Sequence, residues 1–126
     1  MMEIDIKRYI EDRVPGLKGR LSPVMVTDIS ELGVAYTFTD ISAGHVNQSQ
    51  LTLNIIWNDY DECLDIHEKI KKALSMEEDE PFRIFGNTKF HSELSSGGGA
   101  IFNDGPQRWE VSKYYIIDWR TIHEEQ

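Results

Sequence analysis

The stretch that decides the fold runs from Gln50 to Met76 and reads QLTLNIIWNDYDECLDIHEKIKKALSM. Leu51, Leu53, Ile55 and Trp57 place large apolar side chains at every second position, while Gln50, Thr52, Asn54 and Asn58 fill most of the alternate ones. A period of two with one apolar side is a strand that buries one face. Asp59 then stands where a helix N-cap belongs, and Glu62 is placed to reach back to its amide in a capping box. The spacing predicts a helix that starts at Tyr60 or Asp61. It should end by about Met76, because the acids from Glu77 to Glu80 oppose the dipole at a helix C-terminus. Cys63, Ile66, Ile70, Ala73 and Leu74 share one side of this helix. Asp65, Glu68, Lys69 and Lys72 lie opposite, with Asp65/Lys69 and Glu68/Lys72 at i,i+4 spacing. Such a helix covers a sheet and turns a charged back to water.

Toward the N-terminus, Met2, Ile6, Tyr9, Ile10 and Val14 fall on one side of a short helix whose other side carries Lys7, Arg8, Glu11 and Asp12, until Pro15-Gly16 stops it. After Ser22-Pro23 the run Val24-Met25-Val26 predicts a short strand, and Val34 to Ile41, rich in β-branched and aromatic residues, predicts a second. The segment Ser42 to Ser49 has turn composition, so the flanking strands should form an antiparallel hairpin with a long loop.

Toward the C-terminus, Phe82 to Phe85 predicts a short strand. Gly86 to Pro106 reads as a polar, glycine-rich loop interrupted by Phe90, Leu94, Ile101 and Phe102. A long final strand, Gln107 to Arg120, sets Trp109, Val111, Tyr115, Ile117 and Trp119 at one parity, with Lys113 the exception. The other parity holds Arg108, Glu110, Ser112, Tyr114, Ile116 and Asp118, so its second face is partly apolar. A strand of this kind runs through the middle of a sheet or extends into a partner's. Tyr114 and Ile116 need a cover of their own, from the N-terminal helix or from a neighbouring subunit. Trp57, Trp109 and Trp119 read first as core residues, although tryptophan and tyrosine also dominate interface anchors. The sum is an α/β (α+β) fold. A mixed, largely antiparallel sheet carries an N-terminal helix and one central amphipathic helix.

No repeat or linker divides the chain, and 126 residues suit a single domain, 1–126, with a core of its own. With 22 acidic against 13 basic residues and a net charge of −9, the composition argues against binding nucleic acid by attraction to its backbone. No signal peptide is evident, and no apolar run approaches the ~18 residues that cross a bilayer, so a cytoplasmic, membrane-free protein is expected. The single cysteine, Cys63, lies on the apolar helical stripe and reads as a small buried hydrophobe.

Nothing in the sequence makes a catalytic signature. Cys63 and His67 have a chelating i,i+4 spacing without a third ligand nearby, and His45, His91 and His123 form no metal motif. Asp59, Asp61 and Asp65 lack the glycine of a calcium loop. Gly97-Gly98-Gly99 is followed by Ala100-Ile101-Phe102 rather than the Lys-Ser/Thr pair and helix of a phosphate loop. Ser92, Ser95 and Ser96 sit in no nucleophile elbow. The expectation is a non-enzyme without metal or cofactor. Gly97, Gly98, Gly99, Ile101, Phe102, Tyr114, Ile116 and Arg120 are the candidate contacts for an oligomer or another partner.

The element order carries a resemblance. An N-terminal helix leading into VPGLKGRLSP, a strand pair, the segment LTLNIIWNDYDECLDIHEKIKKAL, a glycine-bearing stretch and the closing strand RWEVSKYYIIDWR together resemble the tail-terminator (tail-completion) and minor capsid proteins of long-tailed bacteriophages and prophages. The similarity spans nearly the whole chain and is sharpest where a strand passes through an aspartate-rich turn into the amphipathic helix. It implies an α/β subunit with helices on one side of its sheet, closing into a hexameric ring. That ring caps the finished tail tube, ends its polymerisation and offers a surface to the head. The tail tube protein and a head–tail connector protein would be its partners, and it would be assembled in the host cytoplasm and carried at the head-proximal end of the virion tail. Acidic walls suit a ring that DNA must pass without sticking. A reading from another class is a small acidic inhibitor, immunity- or antitoxin-like, that blocks a basic partner protein; size in solution separates the two.

Overall fold

The computed structural model describes residues 1–42 and 46–122. It has the α+β architecture that the strand and helix periods imply. Two helices, α1 (Met2–Arg13) and α2 (Tyr60–Leu74), lie on one face of a six-stranded sheet. The strands are β1 (Leu21–Pro23), β2 (Gly33–Ser42), β3 (Asn47–Trp57), β4 (Arg83–Phe85), β5 (Thr88–Asn103) and β6 (Arg108–Thr121), in the spatial order β1-β2-β3-β6-β5-β4. Among the described residues only β1 and β2 run parallel; every other pair is antiparallel. The long last strand therefore sits in the middle of the sheet, flanked by β3 and β5, as its two-sided apolar pattern requires.

Register explains which residues are inside. Leu51 pairs with Tyr115 and Phe38, Ile55 with Val111 and Val34, and Ser49 with Ile117. These side chains point to one face, where α2 buries Cys63, His67, Ile70, Ala73 and Leu74 and α1 buries Met2, Ile6, Tyr9 and Ile10. Tyr9 ties the two helices and the sheet together: its hydroxyl donates to the Ala73 carbonyl at 3.0 Å, and its ring meets Phe90 edge-on at 5.0 Å. Asp5, buried in α1, accepts from the Asn87 amide at 3.2 Å and the Thr88 hydroxyl at 2.7 Å, which pins the β4–β5 turn. At Gly86 in that turn φ is +60°, and any side chain would run into the Asp5 carboxylate.

Three local expectations are corrected. Asp59 caps α2 as predicted, accepting from the amides of Asp61 (2.9 Å) and Glu62 (3.3 Å). Glu62, however, does not close a capping box; its carboxylate accepts from the Trp57 indole. The strand expected at Val24–Val26 is instead Leu21–Pro23, because the chain turns at Val24, where φ is +68° and the side chain is 72% exposed. Val26 then folds back against Gly33, which has no side chain to obstruct it. The hairpin loop from Ser42 to Ser49 is shorter than read, since β2 runs to Ser42 and β3 begins at Asn47; residues 43–45 lie outside the described residues.

The largest correction is Gly86–Pro106. Most of it is not a loop but the 16-residue strand β5, paired with β6 from Thr88↔Thr121 to Asn103↔Arg108. Glycine-rich composition disfavours a strand in isolation, but β6 supplies a backbone ladder along the whole length. The excess residues are absorbed as register shifts between Leu94 and Ser96 and between Gly97 and Gly99.

Candidate assembly surface

The sheet has one covered face and one bare face. On the bare face Gln48, Gln50, Thr52 and Asn54 of β3 stand beside Ser112, Tyr114, Ile116 and Asp118 of β6, all partly exposed. Side-chain hydrogen bonds link them: the Gln48 amide donates to the Asp118 carboxylate at 3.0 Å, the Asn54 amide to the Glu110 carboxylate at 3.0 Å, and the Ser112 hydroxyl to the Asn54 carbonyl oxygen at 3.1 Å. The N-terminal helix does not cover Tyr114 and Ile116, contrary to one expectation, because α1 packs on the same side as α2. Its Ile6 and Ile10 meet Leu21, Tyr36, Phe38 and Leu51, all of the covered face.

Both outer edges of the sheet end in unpaired stretches. On β5, β4 reaches only Thr88–Phe90, and the Met76 amide donates to the Ser92 carbonyl at 3.0 Å. From Glu93 to Asn103 no strand among the described residues lies on the outer side. On β2, β1 covers Val34–Tyr36, leaving Thr37–Ser42 open. Open edges are templates for further strands unless they are twisted or charged.

The glycine triplet lies on the open part of β5. Gly98 packs against Tyr114, whose hydroxyl would be 2.8 Å from an added Cβ, and Gly97 leaves room for the Lys113 side chain, whose Nζ would be 2.9 Å from one. Gly99 takes φ +82°, the left-handed conformation of a bulge. Ile101 is 64% and Phe102 43% exposed, near the tip of the β5–β6 hairpin. All eight candidate contact residues lie on the β5–β6 hairpin but not at one place: Ile101 and Phe102 are near its tip, Gly97, Gly98 and Gly99 lie beside Ser112–Tyr114, and Ile116 and Arg120 are toward its open end. Arg120 pairs with Lys89, roughly 20 Å from Tyr114 at the usual strand rise, and Phe102, paired with Trp109, is on the other side of Tyr114 along the hairpin.

An aromatic ledge at the hairpin tip was not foreseen. Trp109 packs between Phe102, edge-on at 5.2 Å, and Tyr60 of α2, tilted at 4.9 Å. Arg108 lies 5.8 Å over the neighbouring Trp57 ring and donates to the Ile29 carbonyl at 3.0 Å. Tyr60 is 37% exposed, and the ledge is rimmed by exposed Asp59, Asp61, Glu62 and Asp104. The sequence offered each aromatic separately; only the fold places the start of α2 beside the hairpin.

The titratable groups beneath α2 belong to the core. Burial pushes the Cys63 thiol up to about 11, aided by Asp59 and Glu62, so it is neutral at physiological pH. Burial, then the Lys113 charge, depresses His67 below its usual range. Burial likewise raises Tyr115, whose hydroxyl has no hydrogen-bond partner within the described residues. His91 is buried against Phe82, its Nε2 2.7 Å from the Glu77 carbonyl oxygen. His45 and His123 lie outside the described residues, among which no three His, Cys, Asp or Glu side chains converge as a metal site. Nor is any helix among them long and apolar enough to cross a membrane.

The fold has a counterpart among solved structures. A chain from a structure described as the virion of a native gene transfer agent particle superposes with a TM-score of 0.56, over 87% of this chain and 83% of its own. The two chains share a fold. Their sequences are 8% identical, so the likeness to the virion chain is architectural. No family model matches the sequence, and no curated protein does.

Proposed function

We propose that this protein is a structural subunit of a phage-like virion, and more narrowly a tail terminator: a ring that caps the tail tube, ends its growth and joins it to the head. The observation that carries this reading is the fold shared with the gene transfer agent virion chain across most of both chains. The resemblance of its sequence elements to tail terminators supplies the narrower role. In this reading its work is done by surfaces, with no catalytic group, metal or cofactor, and its neighbours are copies of itself, the tail tube protein and a head–tail connector protein. The open stretches of β2 and β5 lie on opposite edges of the sheet, so one subunit has two different surfaces for its two neighbours, as a cyclic assembly requires.

The test is negative-stain imaging and light scattering of the purified protein over a concentration series, with and without tail tubes. Closed rings of about six subunits, free or seated on tube ends, are expected, since a repeated head-to-tail contact closes into a ring when its rotation allows. A strict monomer that also leaves tube ends bare would sink the reading. A monomer that instead captured a basic enzyme would favour the acidic-inhibitor alternative.

A further inference from the structure

The two ends of α2 carry opposite chemistry. At its start stands the aromatic ledge of Tyr60, Phe102 and Trp109, rimmed by Asp59, Asp61, Glu62 and Asp104. Toward its end a groove of about 270 Å³ opens between α1 and α2, lined by Arg13, Lys69, Lys72 and Ala73. The groove is cationic in a chain whose net charge is −9. Arg13 lies 4.9 Å over the Tyr9 ring, and the ion pairs of the groove are exposed. Lys69 meets Asp65 at 3.2 Å and Arg13 meets Asp12 at 3.5 Å, all four side chains more than half exposed, and Lys72 has no ion pair among the described residues. Exposed pairs of this kind contribute little and exchange partners readily.

We propose that the ledge of one copy seats in the cationic groove of the next copy. The inference rests on the virion-ring reading and names a contact between neighbouring copies in addition to the open strand edges. Three properties support a second copy as the occupant. First, the surfaces are complementary in charge, carboxylates around the ledge against Arg13, Lys69 and Lys72. Second, exposed aromatic faces such as Phe102 and Tyr60 attract ammonium and guanidinium groups as well as apolar surface. Third, the surfaces are fixed to one rigid helix, Tyr60 and Lys72 being about 18 Å apart along its axis at 1.5 Å per residue. One molecule cannot join its own two ends, whereas a head-to-tail neighbour can. A contact between two different patches repeats from copy to copy and closes into a ring when the rotation allows.

Two double charge reversals test the contact in the full-length chain by sedimentation velocity in low salt. Asp61→Lys with Asp104→Lys makes the ledge basic, and Lys69→Glu with Lys72→Glu makes the groove acidic. None of these side chains is buried, and Asp59, the helix cap, is left intact; unchanged circular dichroism melts confirm folding. Each variant alone should assemble at least about tenfold more weakly than wild type, because it faces like charge across the contact. Mixed in equal amounts, the two should assemble again, since a basic ledge now meets an acidic groove and an acidic ledge a basic one. Phe102→Ala should weaken assembly without changing its dependence on salt. Wild-type assembly by either folded double variant, or a mixture that stays monomeric, overturns the proposal. A wild type that never self-associates yet caps tube ends overturns this contact but leaves the virion reading standing. Charge-switched recovery in a protein that ignores tube ends supports the contact and removes that reading.

Discussion

The two faces of the sheet were built by different rules. On the covered face, Leu51, Leu53, Ile55, Val111, Tyr115 and Ile117 meet Ile70, Leu74, Ile6 and Ile10, and this apolar stack supplies most of the fold's stabilisation. On the bare face, Gln48, Asn54, Ser112 and Asp118 exchange hydrogen bonds at the surface of the same strands. Each such bond has a net worth of only about 1 kcal/mol, because water competes for the same groups. One face therefore holds the molecule together. The other is free to be specified by what it touches.

That contrast is most easily broken at Ile70 and Leu74. Both are buried, so Ile70→Ala or Leu74→Ala should each cost about 2–5 kcal/mol in urea unfolding, the range for emptying a packed site. Gln50→Ala and Thr52→Ala on the bare face should cost less than about 1 kcal/mol. Equal losses from the two sets would mean the bare face is as structural as the covered one. The melts must hold assembly constant, since self-association raises apparent stability by mass action.

Two buried tyrosines sharpen the comparison within the covered face. The Tyr9 hydroxyl donates to Ala73 and accepts from Arg83, whereas that of Tyr115 has no partner within the described residues. Tyr9→Phe should destabilise by about 1–2 kcal/mol, and Tyr115→Phe should be neutral or slightly stabilising, because it removes a buried polar group that gains nothing. A large loss at Tyr115 in the same unfolding experiment would show that its hydroxyl is satisfied after all.

A smaller effect depends on pH. His67 is on the buried side of α2, where burial first and then Lys113 of β6 and Lys71 of α2 disfavour its protonation and Glu68 favours it. Its folded pKa is depressed below the ordinary 6.5, so the unfolded chain binds the proton more readily. The stability it contributes is complete above pH 6.5 and is lost as pH falls from there through the folded value. His67→Gln should flatten the stability profile just below pH 6.5, measured by urea midpoints in steps of pH. A profile unchanged by the substitution would place the acid sensitivity elsewhere.

The smallest change expected is on the solvent side of α2. Lys69→Ala and Lys72→Ala should cost only about 0–1 kcal/mol, since the Lys69–Asp65 pair is exposed and screened. If either unfolded the protein more readily than Leu74→Ala, α2 would be facing the other way.

Where the local period was unambiguous, sequence and structure coincide. The alternation from Leu51 to Trp57, the Asp59 cap and the stripe from Cys63 to Leu74 reappear as β3 and α2 with the expected faces, because each signal is complete within a few residues. The double-sided pattern of Gln107–Arg120 likewise announced a central strand. Where a residue's role depended on a distant neighbour, the sequence was silent or misleading. Val24–Val26 has strand composition, yet β1 ends before it. Glu62 was read against its own backbone and found Trp57 instead. The candidate contact residues Gly97, Gly98, Gly99, Ile101, Phe102, Tyr114, Ile116 and Arg120 all lie on one hairpin, but the sequence alone does not show that Phe102 meets Trp109 near its tip while Ile116 and Arg120 stand toward its open end.

The sequence by itself thus determined the two helices, the buried faces of the long strands and an acidic surface without a catalytic signature, since periodicity, capping and net charge are properties of short segments and of composition. Only the tertiary structure decided that Thr88–Asn103 is a strand, that both helices crowd onto one face, and that Tyr60, Phe102 and Trp109 form a single ledge opposite a cationic groove. The physical reason is the same in each case. A glycine-rich segment, an uncovered face or an aromatic cluster takes its character from partners far along the chain, and those partners are chosen by the packing of the whole sheet.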